Sequence, residues 1–185
     1  MLHDILFAIW FMLPAAFANA TPIFCKHLPG LKRWNARIDG GRTFRGKDLL
    51  GAHKTWRGLV CGMIVSTIIF ALQQYAVDHF AWARYITEGS SYDELAVWLI
   101  GPLLGFGAIA GDAIESFFKR QRNIPSGSSW VPFDQIDYII GAALVTLPFI
   151  ILSPMQYVWM FILWFGLHIA STFVGWKLGL KKDPI

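Results

Sequence analysis

The residue types best suited to chemistry occur between residues 111 and 137, at the end of a long apolar run. If residues 95–118 and the basic residues after them continue as one helix, positions i, i+4, i+7 and i+8 share a face. The side chains at these positions are Asp112, Ser116, Lys119 and Arg120. A carboxylate, a hydroxyl group and two cations would therefore project together from one helix end.

A second acidic pair follows after a broken segment. Asp134 and Asp137 are three residues apart at the start of the next apolar run. Residues 124–131, between the two groups, contain a proline, a glycine and three serines, a composition typical of an irregular loop long enough to cover a ligand. The sequence therefore predicts a polar pocket framed by two helix ends.

The acidic residues need a physical explanation because Asp112 and Glu115 lie within an apolar run. A carboxylate in the middle of a membrane helix costs about 2.5 to 3.5 kcal/mol on insertion scales. A helix-terminal ion pair with a nearby base would offset that cost, and so would a bound divalent cation; Lys119, Arg120 and Arg122 are the bases at hand. Asp134 and Asp137 could likewise cap a helix N-terminus. Four carboxylates beside many bases favour a metal site, and oxygen-only ligands favour Mg²⁺ together with substrate phosphates.

A basic segment could supply the groups that bind phosphates. Residues 51–58 combine Lys54, Thr55 and Arg57 with two glycines, just before the second apolar run. A lysine, an arginine and free N–H groups at a helix N-terminus suit an anionic ligand. The alternative is that the same charges serve solely to anchor the chain at a membrane surface. Asn19, before Pro22, either bridges helices or points into the pocket.

The chain as a whole is too apolar for an ordinary soluble domain. Of its 185 residues, 55% are hydrophobic, 16% aromatic and only 15% charged. We predict a single domain, residues 1–185, that is an all-α, polytopic integral membrane protein with two cytoplasmic loops forming a polar site. Five stretches approach the roughly 20 residues that cross a bilayer: residues 5–24, 59–77, 95–118, 136–152 and 155–176. The fourth is short and could instead be tilted or partly re-entrant.

The distribution of charge predicts the orientation. Of the 16 Lys and Arg residues, all but Arg84 fall in residues 25–58, just after the third span or in the C-terminal tail. The positive-inside rule then places the polar site and the C-terminus in the cytoplasm, and the N-terminus outside the cell membrane. Anionic headgroups of the lipid bilayer attract such bases by roughly 1 kcal/mol each. We therefore predict no nucleic-acid partner.

The first 20 residues allow a second interpretation. They end in Ala18-Asn19-Ala20, which resembles the small-residue cleavage site of a secretory signal peptide. A signal peptide begins with a positively charged segment, whereas residues 1–4 contain neither Lys nor Arg. We therefore expect this segment to be retained as a transmembrane helix.

Four motifs occur in order along the chain. They are Asn19-Ala20-Thr21-Pro22, Gly51-x-x-Lys54-Thr55-Trp56-Arg57-Gly58, Gly111-Asp112-x-x-x-Ser116-Phe117-x-Lys119-Arg120 and Asp134-Gln135-x-Asp137. Together they resemble the CDP-archaeol synthase family, archaeal-type relatives of the bacterial CDP-diacylglycerol synthases (phosphatidate cytidylyltransferases), over nearly the whole chain. The broader family signature continues with a His-Gly-Gly run and ends in Asp-Arg-x-Asp. Residues 130–137 depart from that pattern and resemble the archaeal-type branch.

The resemblance implies an enzyme that transfers a CMP group from CTP to a membrane lipid phosphate and releases pyrophosphate. The expected lipid is of the archaetidic acid type, 2,3-di-O-geranylgeranylglyceryl phosphate. Under this hypothesis, Asp112, Asp134 and Asp137 bind one or two Mg²⁺ ions and act in catalysis with Lys119. The expected substrate-binding residues are Asn19, Lys54, Thr55, Arg57, Ser116 and Arg120.

Some alternatives stay open at this point. Diacyl phosphatidic acid would be chemically equivalent at the phosphate, and the sequence does not decide the number of metal ions or whether the chain forms a homodimer. A small ion or solute transporter would also place carboxylates in glycine-rich helices. Such a protein would be expected to show polar residues near mid-span or an inverted repeat, and we find neither in this sequence.

Overall fold

The computed structural model describes residues 1–179 and is mostly helical, as predicted. The helices are α1 (Leu2–Cys25), α2 (Trp56–His79), α3 (Ala81–Thr87), α4 (Val97–Gln121), α5 (Phe133–Thr146) and α6 (Pro154–Lys177). A 3-10 helix, Ser91–Glu94, precedes α4, and an antiparallel hairpin of β1 (Thr43–Phe44) and β2 (Lys47–Asp48) lies between α1 and α2. Lys181 and Lys182, two bases of the predicted cytoplasmic tail, lie outside the described residues.

Four helices within residues 1–179 are long and apolar enough to cross a membrane: α1, α2, α4 and α6. The chain is therefore a multi-pass membrane protein, as predicted. The expected fifth span, residues 136–152, differs, because α5 has 14 residues and extends about 21 Å, less than the roughly 30 Å of a hydrocarbon core. α5 ends at Thr146 because Pro148, two residues later, has no N–H group to continue the hydrogen bonds of the helix. A fifth, tilted or re-entrant span stays a prediction.

The first helix forms part of the core of the bundle. α1 packs against α2, α4 and α6, and its Phe7 is fully buried. Two side chains from other helices bond to its backbone: Gln73 Nε2 donates to the Trp10 carbonyl at 2.7 Å, and Trp164 Nε1 donates to the Ala8 carbonyl at 3.0 Å. Removal of residues 2–25 would therefore expose buried surface of three helices.

The hairpin covers the C-terminal end of α4. Its turn consists of Arg45 and Gly46, with φ angles of 53° and 76°, the left-handed conformation that tight hairpin turns require. Lys47 Nζ donates a hydrogen bond to the carbonyl of Gln121 at 2.6 Å. The ring of Phe44 also contacts that of Phe117, with 5.8 Å between centroids. These contacts attach the basic loop to the helix that carries Asp112.

The loop at the opposite end of the bundle is fixed by buried polar groups. Tyr92 is fully buried, and its hydroxyl group donates to Gln73 Oε1 at 2.9 Å. Gln74 Nε2 donates to the Tyr92 carbonyl at 2.9 Å. This network joins the loop to α2 at the end of the bundle opposite the acidic residues.

Candidate functional site

A cavity of about 550 Å³ opens at one end of the bundle. The C-terminal ends of α1 and α4 meet the N-terminal ends of α2 and α5 there, and α6 contributes His168 and Thr172 to the wall. The cavity is lined by all ten residues predicted from the sequence: Asn19, Lys54, Thr55, Arg57, Asp112, Ser116, Lys119, Arg120, Asp134 and Asp137. The structure therefore brings the predicted residues together, while their individual roles stay predictions.

Close packing between α4 and α5 brings the acidic residues of the two helices together. A Cβ atom added to Gly141 of α5 would lie 2.1 Å from the Gly107 carbonyl oxygen, and one added to Gly111 would lie 2.2 Å from that of Asp137. Neither position has room for a side chain. Small residues commonly allow such backbone contact between membrane helices. Here the contact holds the first turns of α5 against the acidic part of α4.

Three carboxylates lie close enough to share one cation. An oxygen atom from each of Asp112, Glu115 and Asp137 lies within 4.8 Å of the other two. The Glu115 side chain is 5% exposed, and its Oε1 has one cationic partner among the described residues, Lys119 Nζ at 3.3 Å. Because Lys119 is shared with Asp134, this buried carboxylate is incompletely neutralised, and a divalent cation would complete its charge balance. This oxygen-only donor set fits Mg²⁺.

Asp134, the other expected metal ligand, makes different contacts. Its Oδ1 pairs with Lys119 Nζ, and its Oδ2 accepts a hydrogen bond from the Trp130 backbone N–H at 2.9 Å. Lys119 Nζ also lies 3.3 Å from Glu115 Oε1. Lys119 thus connects the three-carboxylate group to the start of α5, and metal binding by Asp134 stays a prediction.

Lys54 reaches the acidic group from the opposite wall. Its Nζ forms an ion pair with Asp112 Oδ2, between side chains that are 17% and 30% exposed. The next residue, Thr55, is the N-cap of α2, and its Oγ1 accepts a hydrogen bond from the Gly58 N–H at 3.3 Å. This cap fixes the backbone beside Lys54 where the loop enters the helix.

The two predicted arginines have different surroundings. Arg57 is 8% exposed, and its Nη1 donates to the Leu31 carbonyl at 3.0 Å, so it supports the loop after α1. Arg120 packs against Gly51, where an added Cβ atom would lie 3.3 Å from Nη1 and where a φ of +97° favours glycine. The Nε atoms of both arginines are buried without a hydrogen-bond partner among the described residues. Both guanidinium groups therefore have a donor left for an anion.

Asp39 organises the loop before α2. Its side chain is fully buried, lies 3.2 Å from Arg37 Nε and accepts hydrogen bonds from the N–H groups of Gly41 at 2.9 Å and Leu50 at 3.0 Å. Burial raises the pKa of this carboxyl group, but the backbone donors and Arg37 outweigh that effect and place the pKa below its ordinary value of 3.8. A charged Asp39 therefore helps to fold this loop.

Sequence reasoning counted Glu115 among the clustered carboxylates but not among the expected metal ligands, and it did not assign His168 or Thr172 to the site. Glu115 is three residues after Asp112 and four before Lys119, so helical periodicity places it beside both residues. His168 and Thr172 are one helical turn apart in a mostly apolar span. That spacing was the available signal for a polar face of α6.

Comparisons with known proteins agree with this arrangement. A family model described as CarS-like, CDP-archaeol synthase, matches residues 1–185. A CDP-archaeol synthase of Thermococcus onnurineus is 34% identical over 184 residues, which are 99% of this chain and 98% of the relative. The relatives named CDP-archaeol synthase from Thermococcus kodakarensis and Methanocaldococcus jannaschii are 35% and 32% identical, with at least 98% of each chain covered.

A solved structure has a similar fold. It is described as an intramembrane enzyme for archaeal membrane lipids biosynthesis, with a TM-score of 0.70 and 28% sequence identity. The match covers 89% of this chain and 91% of that one. Because a family model matches the whole chain and full-length relatives exceed 30% identity, the chain belongs to the CDP-archaeol synthase family.

Proposed function

We propose that this protein transfers CMP from CTP to the phosphate of a membrane lipid of the archaetidic acid type, 2,3-di-O-geranylgeranylglyceryl phosphate. The products are a CDP-lipid for phospholipid biosynthesis and pyrophosphate. The observation that carries the proposal is the cavity in which three clustered carboxylates meet lysine and arginine side chains at the end of the membrane helices. The chain's relatives are named for this product, CDP-archaeol.

The reaction needs positioning and charge neutralisation more than a strong base. A phosphate monoester has a second pKa of about 6, so the acceptor is already an oxyanion at neutral pH. One of its oxygens forms a bond to the α-phosphorus of CTP. The bond from that phosphorus to the bridging oxygen of the β-phosphate breaks, and pyrophosphate leaves with the electron pair. Because negative charge grows on the leaving group, preorganised cations around it lower the barrier.

Asp112, Glu115 and Asp137 would hold Mg²⁺, with Asp134 as a further predicted carboxylate. A bound Mg²⁺ supplies Lewis-acid neutralisation of phosphate oxygens. Lys119 keeps Glu115 and the start of α5 in place through its two carboxylate contacts. This contact network supports the predicted catalytic importance of Lys119.

The remaining predicted residues would bind and orient the substrates. Lys54, Arg57 and Arg120 would bind phosphate oxygens, and the two arginines have buried Nε atoms free for this purpose among the described residues. The hydroxyl groups of Thr55 and Ser116 would donate hydrogen bonds. Asn19 lines the α1 side of the cavity, in keeping with contact to the nucleotide or the lipid headgroup.

The position of the cavity supports separate routes for the two substrates. Ile23 lines the cavity and is also 47% exposed, so the cavity reaches the outer surface of α1. His168 and Thr172 of α6 form the neighbouring wall. The lipid would enter sideways between α1 and α6, whereas CTP would enter from the cytoplasm. The basic loops at this end support a cytoplasmic site, an outer N-terminus and an inner C-terminus.

Pyrophosphate release by the purified protein tests the proposal directly. The protein is given Mg²⁺ and CTP together with unsaturated archaetidic acid or, in parallel, dioleoyl phosphatidic acid. We expect release with archaetidic acid and none without lipid or metal. Release with phosphatidic acid alone would establish the diacyl alternative.

A matched pair of variants separates the cavity from general charge effects. Asp112→Asn should abolish pyrophosphate release, whereas Asp93→Asn changes an exposed carboxylate at the other end of the bundle and should retain it. If the folded wild-type protein released no pyrophosphate with either lipid, the proposal would be rejected. Ion flux through proteoliposomes in the absence of CTP would then support the transporter alternative.

A further inference from the structure

We propose that Lys54 serves as an exchangeable cation: it neutralises Asp112 until a divalent cation binds the carboxylates, and it then moves to the phosphates of the nucleotide. The inference rests on the proposed function, because it assigns both ligands to the same cavity. It adds a role for Lys54 beyond phosphate binding, namely that of coupling the binding of metal and nucleotide.

The first observation is that one carboxylate serves two cation sites. Asp112 pairs with Lys54 Nζ, and it also belongs to the three-carboxylate group with Glu115 and Asp137. A Mg²⁺ ion bound there would lie about 2.1 Å from a ligand oxygen. An ammonium group on the same carboxylate would then be a few ångströms from a doubly charged ion, and like charges repel strongly at that distance. The two cations therefore compete for Asp112.

The second observation is that the two lysines of the site differ in what holds them. Lys119 contacts Asp134 as well as Glu115, so it keeps a partner outside the three-carboxylate group when a metal ion binds. Lys54 forms an ion pair with Asp112 alone among residues 1–179. Displacement by a metal ion would thus release Lys54 and leave Lys119 in place.

A released Lys54 has a suitable acceptor nearby. Its long, flexible side chain carries a point charge that adapts to phosphate oxygens, and its backbone is fixed next to the N-cap Thr55. Metal binding would therefore raise the affinity for CTP, and by thermodynamic linkage CTP would raise the affinity for metal to the same extent. In the absence of a metal ion, the pair with Asp112 keeps Lys54 from contributing to nucleotide binding.

The first test measures Mn²⁺ binding to the purified protein, by electron paramagnetic resonance or calorimetry, without nucleotide or lipid. Lys54→Met should bind Mn²⁺ about tenfold more tightly than the wild type, within the range of about 5- to 150-fold that is typical of coupling between sites. Lys54→Arg, which retains the charge, should bind as the wild type does. Equal tightening by the Met and Arg variants, or none by Met, would overturn the inference.

Lys26→Met is the matched control for the loss of one positive charge. Lys26 also lines the cavity, but it forms no ion pair with any residue in the described part of the chain. The Lys26→Met substitution should therefore change Mn²⁺ affinity by less than about threefold, since a cation that shares no carboxylate with the metal acts only at long range. Tightening equal to that of Lys54→Met would show that overall charge, and not exchange at Asp112, governs the affinity, and would overturn the inference.

The second test measures CTP binding without lipid, once with Mg²⁺ and once with EDTA. Lys54→Met should weaken CTP binding about tenfold with Mg²⁺ and less than about threefold with EDTA, because only the metal-bound enzyme has a free Lys54. Equal losses under both conditions would contradict the exchange. Unfolding temperatures identify folded variants, and Lys54→Gln replaces the Met variant if the latter does not fold.

The two tests also separate this inference from the proposed function. Failure of the wild type to bind CTP in the presence of Mg²⁺ would reject the proposed function. The Mn²⁺ measurement needs neither substrate and would still decide whether Lys54 competes for Asp112.

Discussion

Replacing Gly111 with alanine should push α4 and α5 apart and thereby separate the acidic residues. The new Cβ atom would lie 2.2 Å from the Asp137 carbonyl oxygen and 2.8 Å from its carbonyl carbon. Ordinary contact begins near 3.4 Å, so the helices must separate by about 1 Å. Because the opposing atoms belong to the backbone, no rotation of a side chain can relieve the contact.

The expected cost of this substitution has two parts. Overpacking of a tight contact usually costs about 1–3 kcal/mol of stability, while the higher helix propensity of alanine returns at most about 1 kcal/mol. Displacement of Asp137 by about 1 Å also disturbs the three-carboxylate group, and misplacement of that size can cost about 100-fold in rate. We therefore expect a lower unfolding temperature and a much lower rate of CMP transfer.

Gly166→Ala is the control, because no atom lies within 4 Å of a Cβ atom at that position of α6. Unfolding in detergent and initial rates with radiolabelled CTP are measured for both variants. Gly166→Ala should match the wild type or be slightly more stable. If Gly111→Ala behaves in the same way in both assays, the contact between α4 and α5 does not determine the geometry of the site.

Three further substitutions test the metal group, the basic loop and the distal network. Glu115→Gln should raise the Mg²⁺ concentration for half-maximal activity about 10- to 100-fold, as weakening of a metal site typically does; an unchanged Mg²⁺ dependence would exclude Glu115 as a ligand. Asp39→Asn should lower stability at pH 7 by about 1–3 kcal/mol. Because the pKa of Asp39 is lowered in the folded protein, its stabilisation is complete above about pH 4 and is lost as the pH falls through the folded pKa. The unfolding free energies of wild type and variant should therefore converge only in acid. A difference that stays constant with pH would contradict this linkage. Tyr92→Phe should lower the free energy of unfolding by about 1–3 kcal/mol, because it leaves Gln73 Oε1 without its donor. CMP transfer should be retained, since Tyr92 lies at the end of the bundle opposite the cavity. Loss of transfer in folded protein would show that this end of the bundle affects the site.

The long helices were predictable because sustained apolar runs carry a strong signal. The short elements were not. The prediction extended the fourth span to residue 152, although Pro148 ends α5 earlier, because the apolar character of the run continues beyond the proline. The hairpin turn uses Arg45 and Gly46 in place of the Asn-Gly or Asp-Gly pairs that usually identify such turns, so its glycine was only a weak signal.

The membership of the site was more predictable than its pairing. Each predicted residue stands near the end of an apolar segment on the basic side, and such ends converge in a helical bundle. Which carboxylates meet depends on how closely α4 and α5 approach at Gly111 and Gly141, a distance that no sequence spacing encodes. Glu115 therefore joins Asp112 and Asp137, whereas Asp134 contacts Lys119.

From the sequence, ion pairing and metal binding were alternative explanations for the buried acidic residues. The contacts in the structure are compatible with both explanations together. Lys54 and Lys119 pair with Asp112 and Glu115, which reduces the cost of burying charge near a membrane. Asp137 forms no ion pair within residues 1–179, and Lys119 is shared with Asp134. The three-carboxylate group therefore keeps an excess of negative charge that a divalent cation can neutralise. The two lysines thus reduce the cost of burying the carboxylates but do not neutralise them completely. The remaining negative charge is what a metal-binding site requires.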